Sequence, residues 1–168
     1  MKEIPLSGKN GHGRVALIDD ADFQLISAYR WRLWEELLRP EGRPHGPYAI
    51  AGMPVNGRRT HVPMHRLITG WPMTDHIDHD GLNNQRSNLR PTDTAQNNHN
   101  QRPRAGASSR FKGVTWHKRV GKWQATIKLN GRCIYLGLFI SEDEAGAAYD
   151  VAALKAYGEY AYLNGGAA

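Results

Sequence analysis

The sequence predicts an α+β protein organised as two small units. Three observations carry that reading. Strand-like runs are joined by Asn-Gly pairs at Asn56-Gly57 and Asn130-Gly131, the chemistry of two-residue hairpin turns. Ser141 and Glu144 stand at capping-box spacing before an alanine-rich helical pattern. Charge divides the chain: no Asp or Glu occurs from Thr94 to Ser141, whereas Arg102 to Arg132 carries nine basic residues.

Taken in order, RVALID (residues 14–19) reads as a short strand and DADFQLISAY (20–29) as a helix capped by Asp19 or Asp20. RWRLW (30–34) reads as a further strand, and EELLRPEGRPHG (35–46) as a charged loop punctuated by Pro and Gly. YAIAGMPV and RRTHVPMHRLI flank the first Asn-Gly turn as a hairpin. QRPRAGASSR (101–110) reads as a flexible basic linker, so the boundary is expected near residues 102–108. Beyond it FKGVTWHK, KWQATIKLN and RCIYLGLF predict a three-stranded antiparallel meander. The helix that follows places Ala145, Ala148, Tyr149, Ala152 and Ala156 on one face and ends at Gly158.

The 168 residues suffice for one domain with a sizeable core or for two small ones. A net charge of +6 favours a polyanionic partner, although a merely basic enzyme reads the same on charge alone. The single cysteine, Cys133, excludes an internal disulfide and a Cys-cluster zinc site, so no structural zinc is expected. The N-terminus lacks the apolar run of a signal peptide, and no stretch approaches the roughly 20 apolar residues of a membrane span. A soluble, cytoplasmic protein without a membrane partner is expected.

The densest chemistry lies in DHIDHDGLNNQRSNLR, Asp75 to Arg90, with two histidines, three aspartates and three asparagines in sixteen residues. A carboxylate can hold a hard divalent cation while a neighbouring imidazole takes a proton from an attacking water. In a regular strand Asp75 and His76 point to opposite faces, so a shared site needs a strand end or a distortion. His65 is expected to be packed and hydrogen-bonded on a helix behind the site. His79 is expected in a solvated loop, and His99 solvated or facing DNA. A separate cluster of Asp78, His79 and Asp80 is the alternative metal site.

MHRLITG followed by DHIDHDGLNNQRSNLRPTDTAQNNHN resembles the HNH nucleases of phage and intron homing endonucleases, over at least residues 61–101. The resemblance implies a ββα-metal nuclease domain over residues 1–102, a linker over 103–108 and a metal-dependent, site-selective DNA endonuclease that nicks or cuts both strands. It further implies His76 as general base, Asn88 as the asparagine that ties the loop, and Asp75 and Asn97 as ligands of Mg²⁺, with Mn²⁺ accepted. The implied setting is the cytoplasm of a bacterial host, with a phage or mobile element as source. A monomer is expected, with dimerisation on DNA left open.

The second part, with KGV, GKW, AAYDVAA and a closing LN, resembles the Apetala/ethylene-response-factor DNA-binding domain over residues 109–164. That resemblance implies double-stranded DNA as partner, contacted by Lys112, Thr115, His117, Thr126, Lys128 and Tyr135, with Arg110 and Arg132 alongside. Thr115 and His117 stand where plant members commonly carry arginines, and Thr126 where they often carry Glu, so the plant recognition sequence is not expected. Trp123, Leu136, Phe139 and Tyr149 are expected in the core. The rival function is a DNA-binding transcriptional regulator with an inactive nuclease domain.

Overall fold

Both Asn-Gly pairs turn the chain as their chemistry requires. In the computed structural model, which describes residues 1–36, 45–103 and 106–165, Asn56 and Gly57 have φ of 49° and 75° and Asn130 and Gly131 have 46° and 80°. Positive φ at both central positions matches the right-handed twist of the flanking strands. The result is a mixed α+β protein with several small antiparallel sheets and few helices.

Four such sheets occur among the described residues. β1 (Lys2–Pro5) pairs with β2 (Val15–Ile18), and β4 (His45–Val55) lies between β3 (Arg32–Glu36) and β5 (Arg58–Pro63). β6 (Thr74–His76) pairs with β7 (Leu89–Pro91), and β9 (Lys122–Leu129) lies between β8 (Val114–His117) and β10 (Arg132–Phe139). The helices are α1 (Phe23–Ser27), α2 (Met64–Thr69), α3 (Thr94–Asn100) and α4 (Glu142–Tyr157).

The chain divides into two compact units, Met1–Asp93 and Thr94–Ala168. In the first, Ile4, Ile18, Ile26, Trp31, Ala49, Ala51, Met64, Leu82 and Leu89 share one core. Trp31, 1% exposed, satisfies its indole N–H on the Ile26 carbonyl at 2.8 Å. In the second, Val114, Ala125 and Ala145 are buried with Phe111, Trp123, Leu136 and Phe139 packed on them, and Ile127, Tyr149 and Ala153 form an adjoining cluster. Small residues on α4 let that helix lie close to the sheet. Gly113 has φ +76, and a Cβ built there would stand 2.0 Å from the Tyr149 ring, so the turn into β8 has room only for glycine.

The capping box is present at α4, whose Ser141 hydroxyl accepts from the Asp143 and Glu144 amides, and Gly158 ends the helix with φ 55. Two expectations about the segment after β2 need correction. The segment after β2 is a 3₁₀ turn over Asp20–Asp22 followed by the five-residue α1, with no side-chain cap at Asp19 or Asp22. Asp19 and Asp22 instead accept hydrogen bonds from Arg86, far along the chain. At the start of the expected second domain, Ser109 is buried and donates to Glu142 at 2.7 Å, and Arg110 pairs with Asp143 at 2.7 Å.

The division between units falls between Asp93 and Thr94, whereas the sequence placed the boundary near residues 102–108. Interactions within the second unit explain the difference. Lys112 Nζ donates to the carbonyls of Asn98, His99 and Gln101, and His99 stacks on Tyr157 with ring centroids 3.7 Å apart. Most of the expected charged loop, residues 37–44, lies outside the described residues.

Candidate functional site

The loop between β6 and β7 is held from three sides. Leu17 of β2 donates its amide to Leu82 O at 2.8 Å and accepts from Asn84 N at 2.8 Å, so β2 clamps the centre of the loop. Arg86 reaches Asp22 through two nitrogens at 3.0 and 2.7 Å and donates to Ile68 O at 3.2 Å. Gly81 packs where a Cβ would stand 2.3 Å from Pro47 O and 2.6 Å from the Tyr48 ring, which brings the loop onto β4.

Asn88 organises the rest. Its Oδ1 accepts from Asp78 N at 3.0 Å, and its Nδ2 donates to Asp78 Oδ1 at 2.9 Å and Asn83 O at 2.8 Å. Asp78 also accepts from Asp80 N at 2.8 Å and Asn83 Nδ2 at 2.7 Å. Burial raises the Asp78 carboxyl, but these hydrogen bonds outweigh it and leave the group below the usual carboxylate range. Asp78 and Asp80 are thus occupied in shaping the loop, and among the described residues no group of three His, Cys, Asp or Glu side chains is placed to hold a metal. His79, half-buried, adopts a left-handed backbone with φ 63.

His76 closes β6 and is 6% exposed, opposite Leu89 in the register. Its Nε2 lies 3.5 Å from Oδ1 of the fully buried Asn84. Tyr48 and His65 flank it, with ring centroids 5.8 and 5.0 Å away. Burial pulls the imidazole below its ordinary pKa, against the Asn84 contact and the charges of Asp78, Asp75 and Asp80, which act in the opposite sense. A neutral ring is the form that accepts a proton. His65 lies on α2 and is packed as expected, but its Nδ1 is buried and has no hydrogen-bond partner among the described residues. Burial, then the charges of His76 and Arg66, push His65 down to about 3.

Asp75, 7% exposed, stands opposite Arg90, and the guanidinium bonds its Oδ2 through Nε at 2.9 Å and Nη2 at 2.6 Å. The strand ends at His76, and the next amide, Ile77 N, turns to Asn88 O at 3.0 Å. Asn97 is half-buried on α3, in the second compact unit.

In that unit the meander gathers five of the eight expected DNA-binding residues on one face. Thr115 lies opposite Gln124, His117 opposite Lys122, Tyr135 opposite Thr126, and Lys128 opposite Cys133, while Val114, Ala125 and Ile127 fill the opposite, helix-facing side. Arg132 is exposed beside the Asn130-Gly131 turn. Arg110 is engaged with Glu142 and Asp143, and the Lys112 ammonium is taken by three backbone carbonyls of the α3 segment. His99, expected to face DNA or solvent, is stacked on Tyr157.

Sequence reasoning passed over Arg90, Tyr48 and Asn84. The signal for Arg90 was present: two short strands flanking one loop pair residue 75 with residue 90 once His76 faces Leu89. Tyr48 gave none, because its approach to His76 depends on how β4 packs against the loop.

No family model matches the chain. An APETALA2-like protein 2 of Oryza sativa subsp. indica is 48% identical over 62 residues, 36% of this chain and 14% of that protein. An AP2-like ethylene-responsive transcription factor of Oryza sativa subsp. japonica is 28% identical over 169 residues, 86% of this chain and 25% of the relative. The chain therefore spans a quarter or less of the length of these plant relatives. A protein of Acanthamoeba polyphaga mimivirus described as an uncharacterized HNH endonuclease is 27% identical over 165 residues, covering 92% of this chain and 76% of that protein. The chain is thus distantly similar to one HNH endonuclease along most of its length and to AP2-type plant proteins over a more closely matched third.

Proposed function

We propose that the chain is a metal-dependent DNA endonuclease of the HNH type, with a ββα-metal site centred on β6 and β7, and that the β8–β10 sheet binds duplex DNA. The observation that carries this reading is the placement of His76: a buried, neutral imidazole at a strand end, beside a loop braced by Asn88. His76 acts as general base, accepting the proton of the water that attacks the phosphodiester. Asn88 acts through the loop, holding Asp78 and the Asn83 carbonyl so that the backbone around His76 keeps its course.

Asp75 is the residue of the first unit that would hold the cation. A carboxylate suits Mg²⁺, which keeps several waters and takes few protein ligands, and Mn²⁺ fits the same donor. When bound, such an ion offsets charge developing on the phosphorus and its leaving oxygen. Arg90 is the counter-charge paired with the buried Asp75. Thr115, His117, Thr126, Lys128 and Tyr135 form the DNA face, with Arg132 at its edge. The mimivirus relative supports the nuclease reading, and the plant relatives support the DNA-binding one. A site-selective, homing-type activity in the cytoplasm of a phage-bearing or element-bearing bacterial host, by a chain that is monomeric off DNA, completes the proposal.

The second reading, a transcriptional regulator with an inactive nuclease unit, draws on the 48% identity to an APETALA2-like protein. Supercoiled plasmid incubated with Mg²⁺ and then with EDTA separates the two. Conversion to nicked or linear DNA that EDTA abolishes supports the endonuclease. Retained gel-shift activity without any conversion supports the regulator.

A further inference from the structure

The solvent face of the β3–β4–β5 sheet carries a cleft of about 810 Å³ that none of the roles above uses. Its place follows from strand alternation. Ala49, Ala51 and Met53 point into the core, so the intervening residues of β4, among them Tyr48, Ile50 and Gly52, line the other side. Register sets Arg32 opposite Ile50 and Ile50 opposite Pro63, Trp34 opposite Tyr48, and Gly52 opposite His61.

The cleft is built for an anion that also carries apolar surface. Arg32 and Lys9 supply the positive charge, the latter from the glycine-flanked turn SGKNG. Among the described residues the lining contains no Asp or Glu, and neither cation is ion-paired. Arg32 Nη2 lies 2.9 Å from His61 Nε2. A guanidinium can only donate, so this ring nitrogen accepts and His61 fixes the head of Arg32 without neutralising it. Trp34, Ile50 and Pro63 form the apolar floor. Inorganic phosphate would leave that floor uncovered, whereas a phosphate joined to a deoxyribose would cover both parts.

The same face leads to the proposed catalytic histidine. Trp34 stacks on Tyr48 at 6.1 Å, and Tyr48 lies 5.8 Å from His76, so the indole is at most about 12 Å from the imidazole. At about 3.4 Å of rise per nucleotide along the duplex axis, that is at most about three to four nucleotides. We infer that this cleft holds one phosphate–deoxyribose unit of the DNA backbone, anchoring the nuclease unit a few nucleotides from the scissile bond. The inference rests on the endonuclease reading for the identity of its strand, but its test does not depend on cleavage.

The test uses the full chain, random-sequence duplex DNA and EDTA, and reads the slope of log affinity against log salt. Replacing both Lys9 and Arg32 with Gln should reduce the slope's magnitude by about 0.9, the value of one neutralised phosphate. Arg32→Lys, which keeps the charge, should keep the slope. Thermal melts of each variant establish that the fold is kept. A double variant that melts like the parent and keeps its slope would overturn the inference. So would saturation of the cleft by free deoxyadenosine 5′-monophosphate at micromolar concentration in the absence of DNA, since the occupant would then be a free nucleotide. If the parent binds with the expected slope but never nicks plasmid with Mg²⁺, the endonuclease reading fails while the slope still decides the cleft.

Discussion

Two imidazoles that burial pulls below their ordinary range set the terms at the scale of single residues. His65 is neutral in the folded chain down to about 3, whereas the unfolded chain protonates it near 6.5. Between those values the unfolded state binds more protons, so stability rises with pH across that window and falls as pH drops through it. The loss is at most about 1.4 kcal/mol per pH unit, less to the extent that the half-buried ring is screened. His65→Phe should flatten the dependence between pH 6 and 4 in chemical denaturation. Equal slopes in variant and parent would place the acid sensitivity elsewhere. Asn88→Asp removes the two N–H donors and sets a second carboxylate beside Asp78, so melting temperature and nicking should both fall. The Mg²⁺ concentration for half-maximal rate should not decrease, and a tighter metal response would make Asn88 a ligand rather than a brace.

Pairing across strands and between distant stretches of chain decides what the elements do. Asp75 and Arg90 are each 8% exposed at their side chains and form a buried pair, so Arg90→Met leaves a carboxylate uncompensated and should cost about 3–5 kcal/mol of stability by denaturant titration. A cost below about 1 kcal/mol would mean that water reaches Asp75 as it does in surface pairs. α3 yields a second test. A fragment starting at residue 94 keeps the carbonyls that Lys112 grips and the His99–Tyr157 stack, whereas one starting at residue 106 lacks both. Each 1 kcal/mol of destabilisation lowers the melting temperature of a domain this small by about 4–8 °C, so the shorter fragment should melt at least that much lower.

These elements also mark what the sequence could tell. The hairpins, the meander and α4 were legible because their signals are local: an Asn-Gly pair needing positive φ, strand alternation, a capping box four residues long. The attachment of α3, the grip of Lys112 and the engagement of Asp19 and Asp22 with Arg86 were not, because they join residues more than ten positions apart and leave no periodic trace. Residues 75, 76 and 88 stood out by type and spacing, yet whether Asp75 would meet a guanidinium depended on register alone.

For the whole molecule, the proposed function assigns charge and chemistry to different surfaces. The acid-free block contributes Lys122 and Lys128 to the open face of the β8–β10 sheet, and each phosphate that this face no longer neutralises should lower the magnitude of the salt slope by about 0.9. Lys122→Ala combined with Lys128→Ala should therefore weaken binding to all duplexes alike, while nicking of bound DNA continues at the parental rate. The central claim is that His76 does the chemistry and the basic surfaces do the holding. It is tested most directly by single-turnover nicking of plasmid by His76→Ala with Mg²⁺, set beside its gel-shift affinity in EDTA. The account predicts a rate lower by about 10² to 10⁴ with affinity unchanged. A parental rate in that variant, or a loss of binding that accounts for the whole defect, would contradict it.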